Sequence, residues 1–274
     1  MEKQIGNFED ISFDDIEGRS VIFNKMIWEE KRSITIFIAI LSVILTALTI
    51  FGGFVIVLLY ILLIWERSGS RLMRALAQKN NLKQENIDIR DLKGNLFKVR
   101  YYKNTHGGLV GFYDNKKARF FYYSYTVQSG KHSITYPFTV FEIFFEGIRF
   151  PYTLLHYRGN SFFTKRHGAK AENEIKINLE DEFKKHYALY TKDGYGIEIM
   201  QTFNQEFIRF LIKEKCNFSI ELSDDRLYIY TEGRITKINQ LKEFFETANK
   251  TVDSLAPVLK RLEDDFEVLK KYYN

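Results

Sequence analysis

The sequence predicts an α+β protein anchored in a membrane: a transmembrane helical hairpin, a mainly antiparallel sheet domain with packed helices, and a long C-terminal helix. Three observations carry this. Residues 34–64 hold no charge and are dominated by Ile, Leu, Val and Phe. From residue 83 onward, short aromatic segments alternate with Gly, Asn and Asp turn signals. From residue 238 onward, apolar residues recur at spacings of three and four.

The chain opens on an acidic segment, residues 1–32, punctuated by Phe8, Ile11, Phe13 and Ile16 and then by Val21, Ile22, Met26 and Ile27. It has no signal-peptide pattern, and it reads as an amphipathic helix against headgroups or as a disordered tail. The apolar run, residues 33–66, is too long for a buried helix of a soluble core. One straight helix would be about 48 Å long at 1.5 Å per residue, against a hydrocarbon core of about 30 Å. Lys31 and Arg32 precede the run, and Arg67, Arg71 and Arg74 follow it. The positive-inside rule then places both flanks in the cytoplasm, which favours a hairpin divided at Gly52-Gly53; a single tilted pass with packed glycines is the alternative. Trp28 and Trp65 fit the interface at either flank. Ser68-Gly69-Ser70 is read as a break, with Ser70 capping a separate basic linker helix over residues 67–82. Its Leu72, Leu76 and Leu82 face protein.

Residues 83–235 form the α+β domain. FKVRYY, LVGFY, ARFFYYSYTV, ITYPFTVFEIFF and FPYTLLHYR are predicted strands, separated by NTHGG, DNKK, QSGKHS and EGIR. Residues 118–127 and 134–145 carry large apolar side chains on both alternating faces, so they are central strands covered on both sides; Pro137 calls for an edge or a bulge. Residues 161–174 read as a mobile basic loop, followed by the strands EIKINL and FKKHYALYT. Thr202-Phe203-Asn204-Gln205 resembles a capping box ahead of an amphipathic helix built on Phe203, Phe207, Phe210 and Leu211. NFSIEL and RLYIYT pair around Asp224-Asp225.

Residues 236–274 form a helix with an a/d seam running from Ile238 to Leu269. Phe244 and Val258 widen the stripe, as expected of a helix lying on its own domain. Pro257 is expected to kink or break it. The reading packs the first part on the domain up to Leu255 and leaves Leu259, Leu262, Phe266 and Leu269 for self-association with a copy or with a protein partner.

No catalytic motif emerges. The single cysteine, Cys216, excludes an intramolecular disulfide and a Cys-based zinc site. The five histidines lack the i, i+4 spacing of metal-binding helices. There is no Walker loop, no nucleophile elbow and no dinucleotide fingerprint. A formal charge of +5 with mixed signs gives no nucleic-acid surface, and no cofactor is called for. The order of an apolar pair, a basic linker helix, the aromatic hairpin FFYYSYTV and FTVFEIFF, then FKKHYALY and FNQEFIRFLI, resembles uncharacterised bacterial membrane proteins with a cytoplasmic α+β domain. The resemblance implies a bacterial inner-membrane location and carries no assigned activity.

The sequence therefore points to a membrane-anchored cytoplasmic binding or regulatory module with the bilayer as its first partner. Two alternatives remain open at this stage. One is a membrane-tethered hydrolase or transferase with a site assembled from dispersed groups such as His156, His167 and His186. The other is a lipid-binding pleckstrin-homology-like barrel.

Overall fold

The computed structural model describes residues 5–48, 52–99, 101–129, 132–159 and 173–273. The predicted loop at 161–174 therefore lies, up to residue 172, outside the described residues. In chain order the elements are α1 (Arg19–Lys25), one π-helical turn (Met26–Glu30), α2 (Arg32–Leu48), α3 (Gly52–Lys79), β1 (Lys83–Gln84), β2 (Tyr102–Tyr113), β3 (Lys116–Ser129), β4 (His132–Phe144) and β5 (Phe150–Tyr157). They continue with β6 (Glu174–Ile177), α4 (Asp181–Lys184), β7 (Tyr187–Lys192), α5 (Gly196–Thr202), α6 (Gln205–Lys213), β8 (Ser219–Asp224), β9 (Arg226–Glu232) and α7 (Ile238–Tyr273).

Among the described residues, nine strands form one sheet in the order β1-β2-β3-β4-β9-β8-β5-β7-β6, and each pairing between neighbours is antiparallel. The predicted α+β class with a large antiparallel sheet and a long C-terminal helix is observed. The sheet is open, with β1 and β6 at its edges, so the closed barrel of the pleckstrin-homology-like alternative is not what the chain builds.

β3 and β4 are central because both their faces are apolar. Phe120 and Tyr122 belong to one core and Phe121 and Tyr123 to the other. On the first face lie α3, α5, α6 and α7, with Leu76, Ile199, Leu211 and Phe245 buried among the strand residues. The second face is covered by the strap of residues 85–99, which contributes Ile87, Leu92, Phe97 and Val99. The acidic N-terminal segment is neither tail nor lipid-facing helix over its first part. Phe8 is fully buried against Phe141 and Phe245, and its N–H donates to the Phe112 carbonyl at 2.8 Å.

Local turn chemistry accounts for the hairpins. Asp114 and Asn115 both take positive φ, 45° and 58°, between Tyr113 and Lys116, the two-residue geometry that follows strand twist. Pro137 sits in β4 just where β9 ends, beyond the Phe138–Glu232 pairing, so its missing N–H removes no bond to β9.

NTHGG proves to be no turn. β2 runs through it as one strand with a bulge between His106 and Leu109, where Gly107 has φ +63°. Gly108 is required by close approach: a Cβ there would lie 2.2 Å from the Glu85 carbonyl oxygen and 2.8 Å from Ile87 Cγ1. Gly108→Ala is therefore expected to lower stability by about 1–3 kcal/mol through overpacking at the β1 edge. A thermal melt unchanged from wild type would refute that packing.

Three helix boundaries differ from the sequence expectation. α3 continues through Ser68-Gly69-Ser70 without a break, because the Arg19 side chain packs on Gly69 (Cζ 3.2 Å from where a Cβ would be) and its Nε reaches Ser68 Oγ at 3.3 Å. Thr202 ends α5 rather than opening a helix, and the cap of α6 is Asn204, whose side chain accepts the Phe207 N–H at 2.9 Å. α7 runs through Pro257 without ending there; Val252 and Leu255 before it and Leu259 after it are buried in one core. Leu259 itself, assigned to self-association from its spacing, is buried in that core.

The membrane reading changes as well. α2 has 17 residues, about 25 Å at 1.5 Å per residue. α3 has 28, but only its first half is apolar, because Glu66, Arg67, Arg71 and Arg74 follow. Among the described residues no helix is long and apolar enough to cross a membrane. The expected transmembrane spans within 33–66 are corrected accordingly.

Candidate functional site

α2 and α3 lie against each other as an antiparallel helical pair standing off the domain. Thr35 and Ile38 on α2 and Ile56 and Tyr60 on α3 are half-buried, and Ile64 is buried in the domain core. Thr35 Oγ1 and Tyr60 Oη are 2.9 Å apart, and Thr35 Oγ1 also donates to the Ile27 or Lys31 carbonyls at 3.0 Å. The remaining faces are apolar and uncovered. Ile34, Ile36, Phe37, Ile40, Val43 and Ile44 are exposed on α2, and Val55, Leu58, Leu59, Ile61, Leu62 and Leu63 on α3. Phe37 is 65% and Val43 70% exposed, and contiguous exposed apolar surface of this kind marks a membrane or partner contact rather than an ordinary soluble face.

The sequence-predicted interface residues collect at the foot of this pair. Trp28 is 62% and Trp65 40% exposed. Arg32, Arg67 and Arg74 are exposed and Lys31 is half-buried. Arg71 donates to Glu30 at 2.6 Å and through that bond holds the Glu30 carboxyl below its ordinary range. Sequence reasoning missed Arg19. It is buried, its guanidinium lies 4.4 Å from the Trp65 ring centroid, and Nε and Nη2 donate to the Trp65 carbonyl at 3.1 and 2.6 Å. It ties α1 to α3 at the point where the apolar surface ends. Nothing in an isolated Gly18-Arg19 signals such a partner 46 residues away.

Beyond the foot of the pair, the chain leaving β9 toward α7 borders three cavities. The first, about 350 Å³, lies between this connection and α7, with Lys215, Glu232, Arg234 and Glu243 in its wall. The second, about 240 Å³, adjoins the first at the end of β9 and is lined by Phe138, His156, Tyr157, Phe218, Tyr230 and Glu232 among others. The third, about 60 Å³, sits under α3 between Arg19, His106, Tyr122 and Arg234. Glu232 belongs to the walls of the first two, and its Oε2 is buried without a hydrogen-bond partner among the described residues.

Among the described residues, His156 and His186 do not line one cavity. His156 lines the second cavity, with Nδ1 3.4 Å from Ser219 Oγ. His186 sits in the turn before β7, where its carbonyl accepts the Arg158 N–H at 2.8 Å, and it does not line that cavity. His167 lies outside the described residues. Among those described, no group of three or more His, Cys, Asp or Glu is placed to hold a metal. Asp224-Asp225 is a hairpin turn, with Asp224 at φ +57° and Asp225 bonded to Arg226 at 2.7 Å. The side chains of Leu262, Phe266 and Leu269 fall outside those described.

Fold and site together define an open antiparallel α+β domain that carries an apolar helical pair at one end and a cleft at its base. No family model matches the chain and no curated protein matches it. Among solved structures, the crystal structure of the mycobacterial trehalose monomycolate transport factor A, TtfA, is similar over 69% of this chain and 97% of that one, with 9% identity and a TM-score of 0.49. At that level the likeness carries no argument about either chain's ligand.

Proposed function

We propose that this chain is a membrane-anchored binding or regulatory module, in which the α2–α3 pair enters a bilayer from one side and holds the sheet domain at that surface. The observation that carries the reading is the uncovered apolar surface on both arms. A helix apolar on nearly all sides is stable only inside a large core or in lipid, and the domain supplies no cover for these faces. Because the arms are about 25 Å long or less against a hydrocarbon core of about 30 Å, the pair dips into the bilayer as a wedge rather than crossing it as two full spans.

Charge sets the side. Lys31, Arg32, Arg67, Arg71 and Arg74 lie at the foot of the pair, which the positive-inside rule places in the bacterial cytoplasm, together with the domain. Trp28 and Trp65 then sit at headgroup level.

The test is extraction and topology of the full chain in bacterial cells. The protein is expected to stay with membranes through an alkaline carbonate wash, and a reporter fused after residue 274 is expected to be cytoplasmic. Recovery in the wash supernatant refutes the anchor, and a periplasmic reporter refutes the orientation. Self-association through the distal part of α7 belongs to the same proposal. It rests on the spacing of Leu262, Phe266 and Leu269, and removal of residues 261–274 would leave the oligomeric mass unchanged if it is wrong.

A further inference from the structure

We infer that the 240 Å³ cavity beside β9 is a binding site for a small ammonium compound, with the Glu232 carboxylate as counter-ion. No hairpin residue lines this cavity, so the assignment goes beyond the membrane reading and stands or falls separately from it.

The argument begins with Glu232. It ends β9, opposite Phe138 of β4, and its Oε2 is buried with no donor among the described residues. An ionised carboxylate only accepts, and a buried acceptor left unmade is costly enough that native structures rarely keep one without a use. The remaining wall explains what donor fits. Phe138, Tyr157, Phe218 and Tyr230 are aromatic, and among the described residues the lining contains neither lysine nor arginine, His156 being its basic side chain. Aromatic faces attract cations through their quadrupole, most strongly where water is excluded; Phe138, Phe218 and Tyr230 are each under 9% exposed. Carboxylate and rings together favour a cation over any neutral or anionic guest.

Size narrows the class. At about 30 Å³ per water, 240 Å³ admits an ammonium group with a short carbon chain, and it is below the range of drug-sized pockets, about 300–1,000 Å³. The larger cavity shares Asn217, Phe218, Thr231 and Glu232 with it and adds Lys215 and Arg234. A guest bearing both an ammonium and a phosphate can therefore extend across, with its anion beside Arg234. The shared chemistry is the ammonium; its source is either a free amine or the head of a phospholipid.

The experiment is calorimetric titration of the full chain in a maltoside detergent, which carries no ammonium group, with choline, ethanolamine and the neutral choline isostere 3,3-dimethylbutanol. Saturable binding of at least one amine is expected, with the isostere at least tenfold weaker and Glu232→Gln losing at least tenfold while melting as wild type. Glycerophosphoethanolamine or glycerophosphocholine binding tenfold tighter than the bare amine, with that gain removed by Arg234→Gln, assigns a lipid head; equal binding assigns a free amine. Absence of saturable amine binding, an isostere as tight as choline, or a Glu232→Gln variant that binds unchanged overturns the inference. If Glu232→Gln fails to fold, Phe138→Leu, which removes a ring without touching the charge, is expected to weaken amine binding and leave isostere binding unchanged.

Discussion

Glu142→Ala is expected to destabilise the sheet domain by about 3–5 kcal/mol, the range for removing one partner of a buried ion pair. Glu142 is fully buried in β4 between two arginines: Arg119 Nε donates to Oε2 at 2.6 Å and Arg226 Nη1 to Oε1 at 3.1 Å. Both guanidiniums lie over the Phe144 ring, at 4.7 and 3.6 Å from its centroid. Arg119 Nη2 already has no partner among the described residues, so losing the carboxylate leaves the buried Arg119 without its counter-ion, whereas Arg226 keeps Asp225 at 2.7 Å. For a domain of this size each kcal/mol moves the midpoint by roughly 2–4 °C, and the melting temperature should fall by about 10 °C.

A second variant separates the pair's worth from the cost of breaking it. Arg119→Met, Glu142→Leu and Arg226→Met combined replace the triad with apolar groups and are expected to recover most of the loss, because the desolvation penalty disappears with the charges. A single Glu142→Ala substitution that melts within about 2 °C of wild type would show that the triad is not the buried network described.

Ile40→Arg together with Leu59→Arg is expected to abolish bilayer binding while leaving the domain folded. Both side chains are about half exposed on the outer faces of α2 and α3, at 55% and 54%. Arginine at the centre of an apolar helix costs roughly 2.5–3.5 kcal/mol on the insertion scale. Two such changes therefore weaken partitioning by on the order of 10⁴, at about 1.4 kcal/mol per tenfold. Substitutions on exposed positions otherwise shift stability by about 0.5 kcal/mol or less, so the melt in detergent should match wild type. Liposome flotation reads the result. A double variant that floats with vesicles as wild type does would remove the membrane reading of the pair, while the cavity beside β9 would be unaffected.

Much of the sheet was legible because its signals are local. Residues 118–127 and 134–145 announce buried central strands through large side chains on both alternating positions, and β3 and β4 are covered on both faces. DNKK contains its own turn geometry. Phe203, Phe207 and Leu211 recur at helical spacing, and all three are buried. Expectations failed where a distant partner overrode a local signal. NTHGG has the composition of a turn, yet Gly108 passes through a strand because Glu85 needs close approach. Ser68-Gly69-Ser70 has the composition of a break, yet Arg19 packs across it. Pro257 is expected to kink or break a helix; α7 does not break there, with buried core residues on both sides of it.

The candidate site divides along the same line. The sequence by itself determined the apolar pair, its basic foot and its tryptophans, because hydropathy and charge placement are properties of consecutive residues. It also determined the α+β class, through the change of period from two to three and four. Only the tertiary structure decided that Glu232 meets Phe138, 94 positions away in the chain, and that His156, Phe218 and Tyr230 close a cavity around it. The reason is physical. Periodicity records which face of an element is buried, whereas strand order and helix packing choose what lies against that face, and that choice depends on pairings between segments that share no local pattern.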